Sequence, residues 1–377
     1  MDIQLFVPKF RVDECLSEIR KCLEKGWTTF GFKTIEFEDA WKKYTGFQNA
    51  HFLNSNTSGL HLALEIFKKR YEWSDGDEVI STPITFVSTN HVILHAGLKP
   101  IFADIDETLC LDPNDVIKKI TPKTKAIMFV GIAGNVGQYE KIVEICKKHD
   151  LRLILDAAHM SGTKLHGKQA GHESDAAVFS FQAVKNLPTA DSGMICFKDV
   201  NDDILARKLT WLGIDKSTYS RSTIATKSIY TWKYDVNDVG YKYHGNSVIA
   251  AIGLVSLKYL DEDNEYRRKL ASQYRKGLSD IPKISLVPIT KGCESSTHLF
   301  QIRVKDRDGL LAELNKNKIH GGVHYRDNTE YPMYAGGRGK CPQAHAVSKE
   351  LLSLPLHLNM VPEEVDKISN IIRRYIK

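Results

Sequence analysis

The chain has 377 residues and a formal charge of +6, from 52 Lys and Arg against 46 Asp and Glu, with 42% hydrophobic and 26% charged residues. This is ordinary globular composition and excludes the disordered and fibrous classes; at ~150 residues per domain it allows two or three units and a large buried core. The basic excess is small and dispersed, which argues against a nucleic-acid partner, since that would need a concentrated basic stripe.

Taken in order, residues 1–9 lack a basic segment followed by a long apolar core and do not read as a secretory signal. From Ala50 onward, short apolar runs alternate with segments of helical period, the signature of an α/β fold. Strands are expected at Ala50 to Leu53, Glu78 to Ser81, Pro100 to Asp104, Ala126 to Gly131, Leu151 to Asp156, Ala176 to Phe181 and Met194 to Phe197. Several are apolar throughout, as strands of a mostly parallel sheet covered on both faces should be. Crossover helices are expected at Thr57 to Lys69, Ser88 to Ala96, Pro113 to Lys119 and Gln138 to His149; in the last, Tyr139, Ile142, Val143 and Cys146 share one face.

After Asp199 the pattern changes to successive helices, Leu205 to Trp211, Gly245 to Leu260 and Asp263 to Leu278. Strands at His298 to Val304 and His320 to His324 and an amphipathic helix from Pro362 to Tyr375 follow. This divides the chain into an N-terminal segment with a large α/β domain, residues 1–249, and a smaller α+β domain, residues 250–377. The longest apolar stretch, Val248 to Leu257, is broken by Gly253 and Ser256 and falls short of the ~20 residues of a membrane span, so a soluble protein without a membrane partner is expected. Seven scattered cysteines, Cys15, Cys22, Cys110, Cys146, Cys196, Cys293 and Cys341, form no Cys-x-x-Cys pair. They read as reduced cytoplasmic thiols rather than a disulfide framework or a metal site.

The first strand-to-helix turn, Asn54-Ser55-Asn56-Thr57-Ser58-Gly59, is not a dinucleotide fingerprint. The run Gly336-Gly337-Arg338-Gly339-Lys340 lacks the spacing of a phosphate loop and reads as a mobile basic loop. Signatures of zinc proteases and of the α/β-hydrolase elbow are absent from the sequence. Three features at strand ends remain. Asn54 to Ser58 offers hydroxyls and amides at a helix N-terminus, which serves equally as an N-cap or as an anion site. Asp156 closes the apolar run Leu151 to Leu155, and Lys185 follows the strand Ala176 to Phe181. Singly these read as a turn cap and a surface lysine. Together they are the parts that hold pyridoxal 5′-phosphate (PLP): a Schiff-base lysine, an acid for the pyridinium nitrogen and a phosphate cup.

With these residues in place the sequence resembles the DegT/DnrJ/EryC1/StrS sugar aminotransferases, which have the PLP-dependent transferase type I fold of aspartate aminotransferase. The matching stretches include Asn54 to Leu62, Thr85-Phe86-Val87, Asp156-Ala157-Ala158-His159, Phe179 to Asn186, Gly240-Tyr241-Lys242-Tyr243, Gly322-Val323-His324-Tyr325 and Leu354-Pro355-Leu356-His357, in family order along nearly the whole chain. The resemblance implies Lys185 as the Schiff-base residue and Asp156 as the partner of the ring nitrogen. It also implies Thr57, Ser58 and Ser180 at the phosphate, Phe86 on the ring and His159 beside the cofactor. Gln182, His324 and Tyr325 would face the substrate, and no metal is implied.

It further implies a homodimer in which the loop holding Lys242 completes the neighbouring site. The substrates would be an amino donor, glutamate, and a nucleotide-linked keto-sugar. Lys242 stands where Asn is commonest in the family and His244 where Arg is common. Ala190-Asp191-Ser192-Gly193 and Val130 to Asn135 also depart from the usual pattern, on the substrate side. The alternatives are a PLP-dependent sugar dehydratase of the same family and a PLP-binding regulatory protein without turnover.

Overall fold

The computed structural model describes residues 2–215 and 234–376. Helices α1 (Val12–Glu24) and α2 (Phe32–Thr45) precede strand β1 (His51–Leu53). The chain then alternates: α3 (Asn56–Arg70), β2 (Glu78–Ser81), α4 (Val87–His95), β3 (Lys99–Phe102), α5 (Pro113–Lys119), β4 (Thr124–Val130), α6 (Tyr139–His149), β5 (Arg152–Asp156), β6 (Ala176–Ser180), β7 (Gly193–Phe197) and α7 (Val200–Leu209). The seven strands form one sheet in the order β1-β7-β6-β5-β4-β2-β3. The pairs from β6 through β3 are parallel, whereas β7 runs antiparallel to both β6 and β1.

The apolar runs of the sequence become central strands because alternate residues serve two cores. Ile127, Phe129, Leu153, Leu155, Ala177 and Phe179 enter one core. Ala126, Met128, Ile154, Ala176 and Val178 enter the other. A period of two with both faces covered leaves no position for a polar residue except at the strand ends. Asp156 and Ser180 sit at such ends, paired in register with Val130 and Gly193. This places the carboxyl ends of β4, β5 and β6 and the entry to α3 along one rim.

Beyond α7, helices α8 (Ser247–Lys258) and α9 (Leu260–Leu278) follow almost without interruption. Partly buried Ile249, Leu254 and Leu257 of α8 pack on the first core. A third core gathers Leu270, Tyr274 and Leu278 of α9 with β9 (Phe300–Arg303), β10 (Leu351–Leu354) and the closing helix α12 (Pro362–Ile376). Strand β8 (Ser285–Leu286) completes an antiparallel sheet with β9 and β10, and α10 (Arg307–Lys316) and α11 (Pro342–Glu350) lie between β9 and β10 in sequence. Ile3 also belongs to this core: its amide donates to Lys318 O and its carbonyl accepts from the His320 amide, both at 2.9 Å. The Leu5 carbonyl accepts from the Leu356 amide, so the first residues run along the C-terminal sheet.

Two local expectations differ from the structure. His320 to His324 is not a strand. Only Gly322 pairs with Ser353, through reciprocal bonds of 3.0 and 2.7 Å, because the segment leaves the sheet edge to present His324 and Tyr325 to the central cavity. The glycine-rich basic segment is anchored at its start: Pro332–Gly337 forms a 3₁₀ helix, and a Cβ on Gly337 would meet the Phe102 ring at 2.6 Å. Among the described residues no helix is long and apolar enough to cross a membrane.

Candidate active site

The rim formed by the ends of β4, β5 and β6 walls a cavity of about 430 Å³. Nine of the residues singled out in the sequence line it: Thr57, Phe86, Asp156, His159, Ser180, Gln182, Lys185, His324 and Tyr325. Phe6, Asn56 and His298 also contribute. Ser58 lines a neighbouring cavity with His61 and Tyr243, and Lys242 lines neither. The Lys242 ammonium instead lies 3.3 Å from the centre of the Trp211 ring.

Asp156 is held from three directions. Thr89 donates its hydroxyl to Oδ2 at 2.7 Å, while the Ala158 amide and Asn56 Nδ2 donate to Oδ1 at 3.1 and 3.3 Å. Burial raises the carboxyl above its ordinary value; the Thr89 hydroxyl, the Ala158 amide, the nearby Lys185 charge and Asn56 act against that rise. A cation placed against this carboxylate would complete the balance.

Lys185 follows a turn in which its amide donates to Gln182 O at 2.8 Å. Its side chain is half-buried and lines the cavity. Burial lowers its ammonium from 10.5 to about 8, with Asp156 opposing the shift.

At the start of α3, the Ser55 hydroxyl accepts from the Ser58 amide at 3.0 Å as an N-cap. Ser58 Oγ donates within the same turn, toward Asn54 Oδ1 and Ser55 O. The amides of Asn56 and Thr57 have no intrahelical acceptor and lie at the positive end of the helix. Thr57 and Ser180 add hydroxyls to the same wall, which makes an anion cup. β7 lies hard against this cup: a Cβ on Gly193 would meet Asn56 N and Ser55 C at 2.7 Å and Phe179 O at 2.8 Å. Backbone cannot yield as a side chain does. Gly193→Ala is therefore expected to cost about 1–3 kcal/mol in chemical denaturation and to weaken retention of a phosphate-bearing ligand, measured by equilibrium dialysis.

The histidines are fixed as neutral groups. The Ala133 amide donates to His159 Nδ1 at 3.1 Å, so Nε2 carries the proton and donates to Tyr325 Oη at 3.2 Å. The Tyr325 hydroxyl therefore keeps its own proton to donate elsewhere, and burial pushes its pKa up. Burial drives His159 well below its ordinary value and His324 to about 4. The sequence reading missed Asn56 and Thr89 as partners of Asp156 and His298 as a cavity residue. Asn56 lies in a motif already singled out, but Thr89 and His298 reach the site only through the topology.

The donor set fits pyridoxal phosphate: an acid at the floor, an amine of lowered basicity, an anion cup, and an aromatic face in Phe86, which is 59% exposed at the mouth. Known proteins agree. The spore coat polysaccharide biosynthesis protein SpsC of Bacillus subtilis (strain 168) is 32% identical over 97% of this chain and 95% of its own. The dTDP-4-dehydro-2,3,6-trideoxy-D-glucose 4-aminotransferase of Saccharopolyspora spinosa is 30% identical over 100% and 97%. Spr1654 of Streptococcus pneumoniae, solved in a PLP form and a PMP form, superimposes in the former with a TM-score of 0.88 at 28% identity, covering 100% of both chains. The type I fold expected from the sequence, a mostly parallel sheet between helices, is thus the fold observed. The sequence model of the DegT/DnrJ/EryC1/StrS aminotransferase family matches residues 11–373, nearly the whole chain, and the chain belongs to that family.

Proposed function

We propose that this protein is a PLP-dependent aminotransferase that moves an amino group from glutamate to a nucleotide-linked keto-sugar. The observation that carries the reading is the placing of Lys185 and Asp156 in the wall of one cavity beside the α3 anion cup. When bound, pyridoxal phosphate supplies a carbonyl that holds the migrating amine and a ring that accepts an electron pair.

The chain supplies the rest. Asp156, fixed by Thr89, Asn56 and the Ala158 amide, keeps the ring nitrogen protonated. Thr57, Ser180 and the first-turn amides of α3 hold the phosphate; Ser58 supports them through the turn it closes with Ser55. Phe86 would pack on the ring and His159 would stand beside it, both from the cavity wall. Lys185, neutral in part near pH 8, would take the proton from the donor's α-carbon and carry it during the transfer. Gln182 Oε1 accepts from the Val184 amide at 3.0 Å, which leaves its NH₂ group for the acceptor sugar alongside His324 and the Tyr325 hydroxyl.

The test is spectroscopic and chemical. Glutamate should bleach the visible absorbance of the loaded protein, and a panel of nucleotide-linked keto-sugars should restore it with an aminated product identified by mass. A band that persists with every donor marks binding without turnover. A product that has lost water without gaining nitrogen marks the dehydratase.

The active unit in this proposal is a homodimer in which Lys242 reaches the partner's site. The Tyr243 carbonyl accepts from the Asn54 amide at 2.8 Å, yet Lys242 does not line the cavity of its own chain, and the neighbouring Val239 is 96% exposed. Subunit exchange between inactive Lys185→Ala and an inactive Lys242 variant should restore activity toward half per mixed dimer, because one of its two sites is then intact. No recovery despite proven exchange counts against a shared site.

A division of the chain near residue 250 is supported by the third core, whose buried members other than Ile3 all come from Leu270 onward. A cytoplasmic location is supported by the seven cysteines, all free thiols.

A further inference from the structure

Beside the main cavity lies a smaller one, with room for about one water. The two share Phe6, Val184, Lys185 and His298 as walls. The far side of the smaller cavity is Arg267 of α9, which is 7% exposed. Among the described residues Arg267 makes no hydrogen bond and no ion pair, and its Nη1 is buried without a partner. The acid whose charge reaches it, Asp263, is shared: Arg11 grips both carboxylate oxygens at 2.7 Å. Asp and Glu are absent from the cavity lining.

The other titratable groups facing it do not balance the charge. Neither lysine of the lining, Lys9 or Lys185, can supply negative charge, and burial holds His298 and His357 below their ordinary values. The tautomer of His298 is fixed. Asn186 spends its NH₂ group on Asn264 Oδ1 and Ser296 O, so its oxygen accepts from His298 Nδ1 at 2.9 Å and leaves Nε2 unprotonated. A buried guanidinium whose one counter-charge is already gripped by Arg11, and whose Nη1 has no acceptor, is unfavourable in a finished protein interior. It marks a place for an anion.

Resting on the aminotransfer reading above, we infer that Arg267 receives the α-carboxylate of the amino-acid donor, and of the 2-oxo acid it becomes, in the space beside Lys185. The position selects between the two substrates. An α-amino acid carries a carboxylate one bond from its reacting carbon, so the anion arrives next to Lys185. A nucleotide-linked keto-sugar has only neutral neighbours at its reacting carbon, and its phosphates lie at the far end. The small cavity widens to carboxylate size when the Lys185 side chain swings aside for the incoming amine.

Arg267→Gln keeps a polar side chain and removes the charge. In the PLP-loaded protein, the glutamate concentration giving half-maximal bleaching should rise about 100-fold. The rate with 4-aminobutyrate, which is glutamate without its α-carboxylate, should not change, so the preference for glutamate collapses. Calorimetric binding of glutarate, an unreactive dicarboxylate, should weaken in parallel while affinity for the nucleotide diphosphate is retained. If Arg267→Gln does not fold, Arg267→Lys carries the test: a single ammonium in place of the fork should weaken glutamate about tenfold and spare 4-aminobutyrate. Equal losses with both donors, or no loss with either, overturn the assignment while the aminotransfer reading stands. A wild-type protein that no α-amino acid bleaches overturns both.

Discussion

Lys185→Ala is expected to lower transamination by at least about 10⁴-fold, because the group that moves the proton is lost together with the amine that anchors the cofactor. The cofactor-free variant should nevertheless fold. Holding the ammonium in the cavity wall at neutral pH, with its value lowered from 10.5 to about 8, costs at most about 3 kcal/mol. Truncation removes that cost, which is already net of the attraction to Asp156, and the lost methylene packing offsets most of the gain. The variant should therefore melt within about 5 °C of wild type at pH 7.

The pH dependence has a definite sign. Below pH 8 both folded and unfolded wild type keep the lysine proton, and the full cost is present. Between about 8 and 10.5 the folded state releases that proton while the unfolded state keeps it, so wild-type stability rises with pH relative to the variant. Calorimetric melts across that range, with single-turnover assays at pH 7, check both halves. Substantial turnover by the pure variant without added amine would remove Lys185 from the mechanism.

Asp156→Asn is expected to slow both half-reactions by about 10³-fold, with the cofactor still bound. The asparagine oxygen can accept from the Ala158 amide and Asn56, as Oδ1 does now. Its NH₂ group then meets Thr89, whose hydroxyl can turn to donate to Thr85, 2.9 Å away. The pocket keeps its shape, and only the charge that holds a proton on the ring nitrogen is gone. Stopped-flow rates with glutamate, set beside cofactor retention on dialysis, separate this outcome from simple cofactor loss. Near wild-type rates would assign the proton-holding role to another group.

Where a site residue is also the punctuation of a regular element, the sequence exposes it. Asp156 ends a run of buried apolar residues, and nothing but a strand end tolerates a carboxylate there. Ser55 to Ser58 opens a helix by ordinary capping chemistry, and Lys185 stands a fixed distance beyond β6. What is hidden depends on contacts distant in sequence. Thr89 reaches Asp156 only because α4 follows β2 across the sheet, and His298 reaches the cavity only when the C-terminal sheet docks.

The apolar runs that mark β1 and β7 as strands carry no information on direction, so their antiparallel pairing cannot be read from them. His320 to His324 misleads for a related reason. The run is short and bears no mark of where it leaves the sheet, and His324 is claimed by the cavity and by Ser353, whose Oγ lies 3.0 Å from His324 Nδ1.

The route of residues 3–6 along the C-terminal sheet governs the order in which the molecule can be finished. Ile3 bridges to Ile319, which leaves the ribosome more than 300 residues later. At ~5–20 residues per second that delay is roughly 15–60 s. Throughout it, α1 to α7 and their sheet can form while Ile3 has no core to enter and Phe6 has no histidine to stack on, since its partner at 5.7 Å, His298, has yet to be made. Residues 3–6 of the nascent chain thus stay undocked until the C-terminal sheet is made. Nascent chains halted before residue 319 should be cleaved by protease near residues 3–9, and full-length protein should resist at the same place.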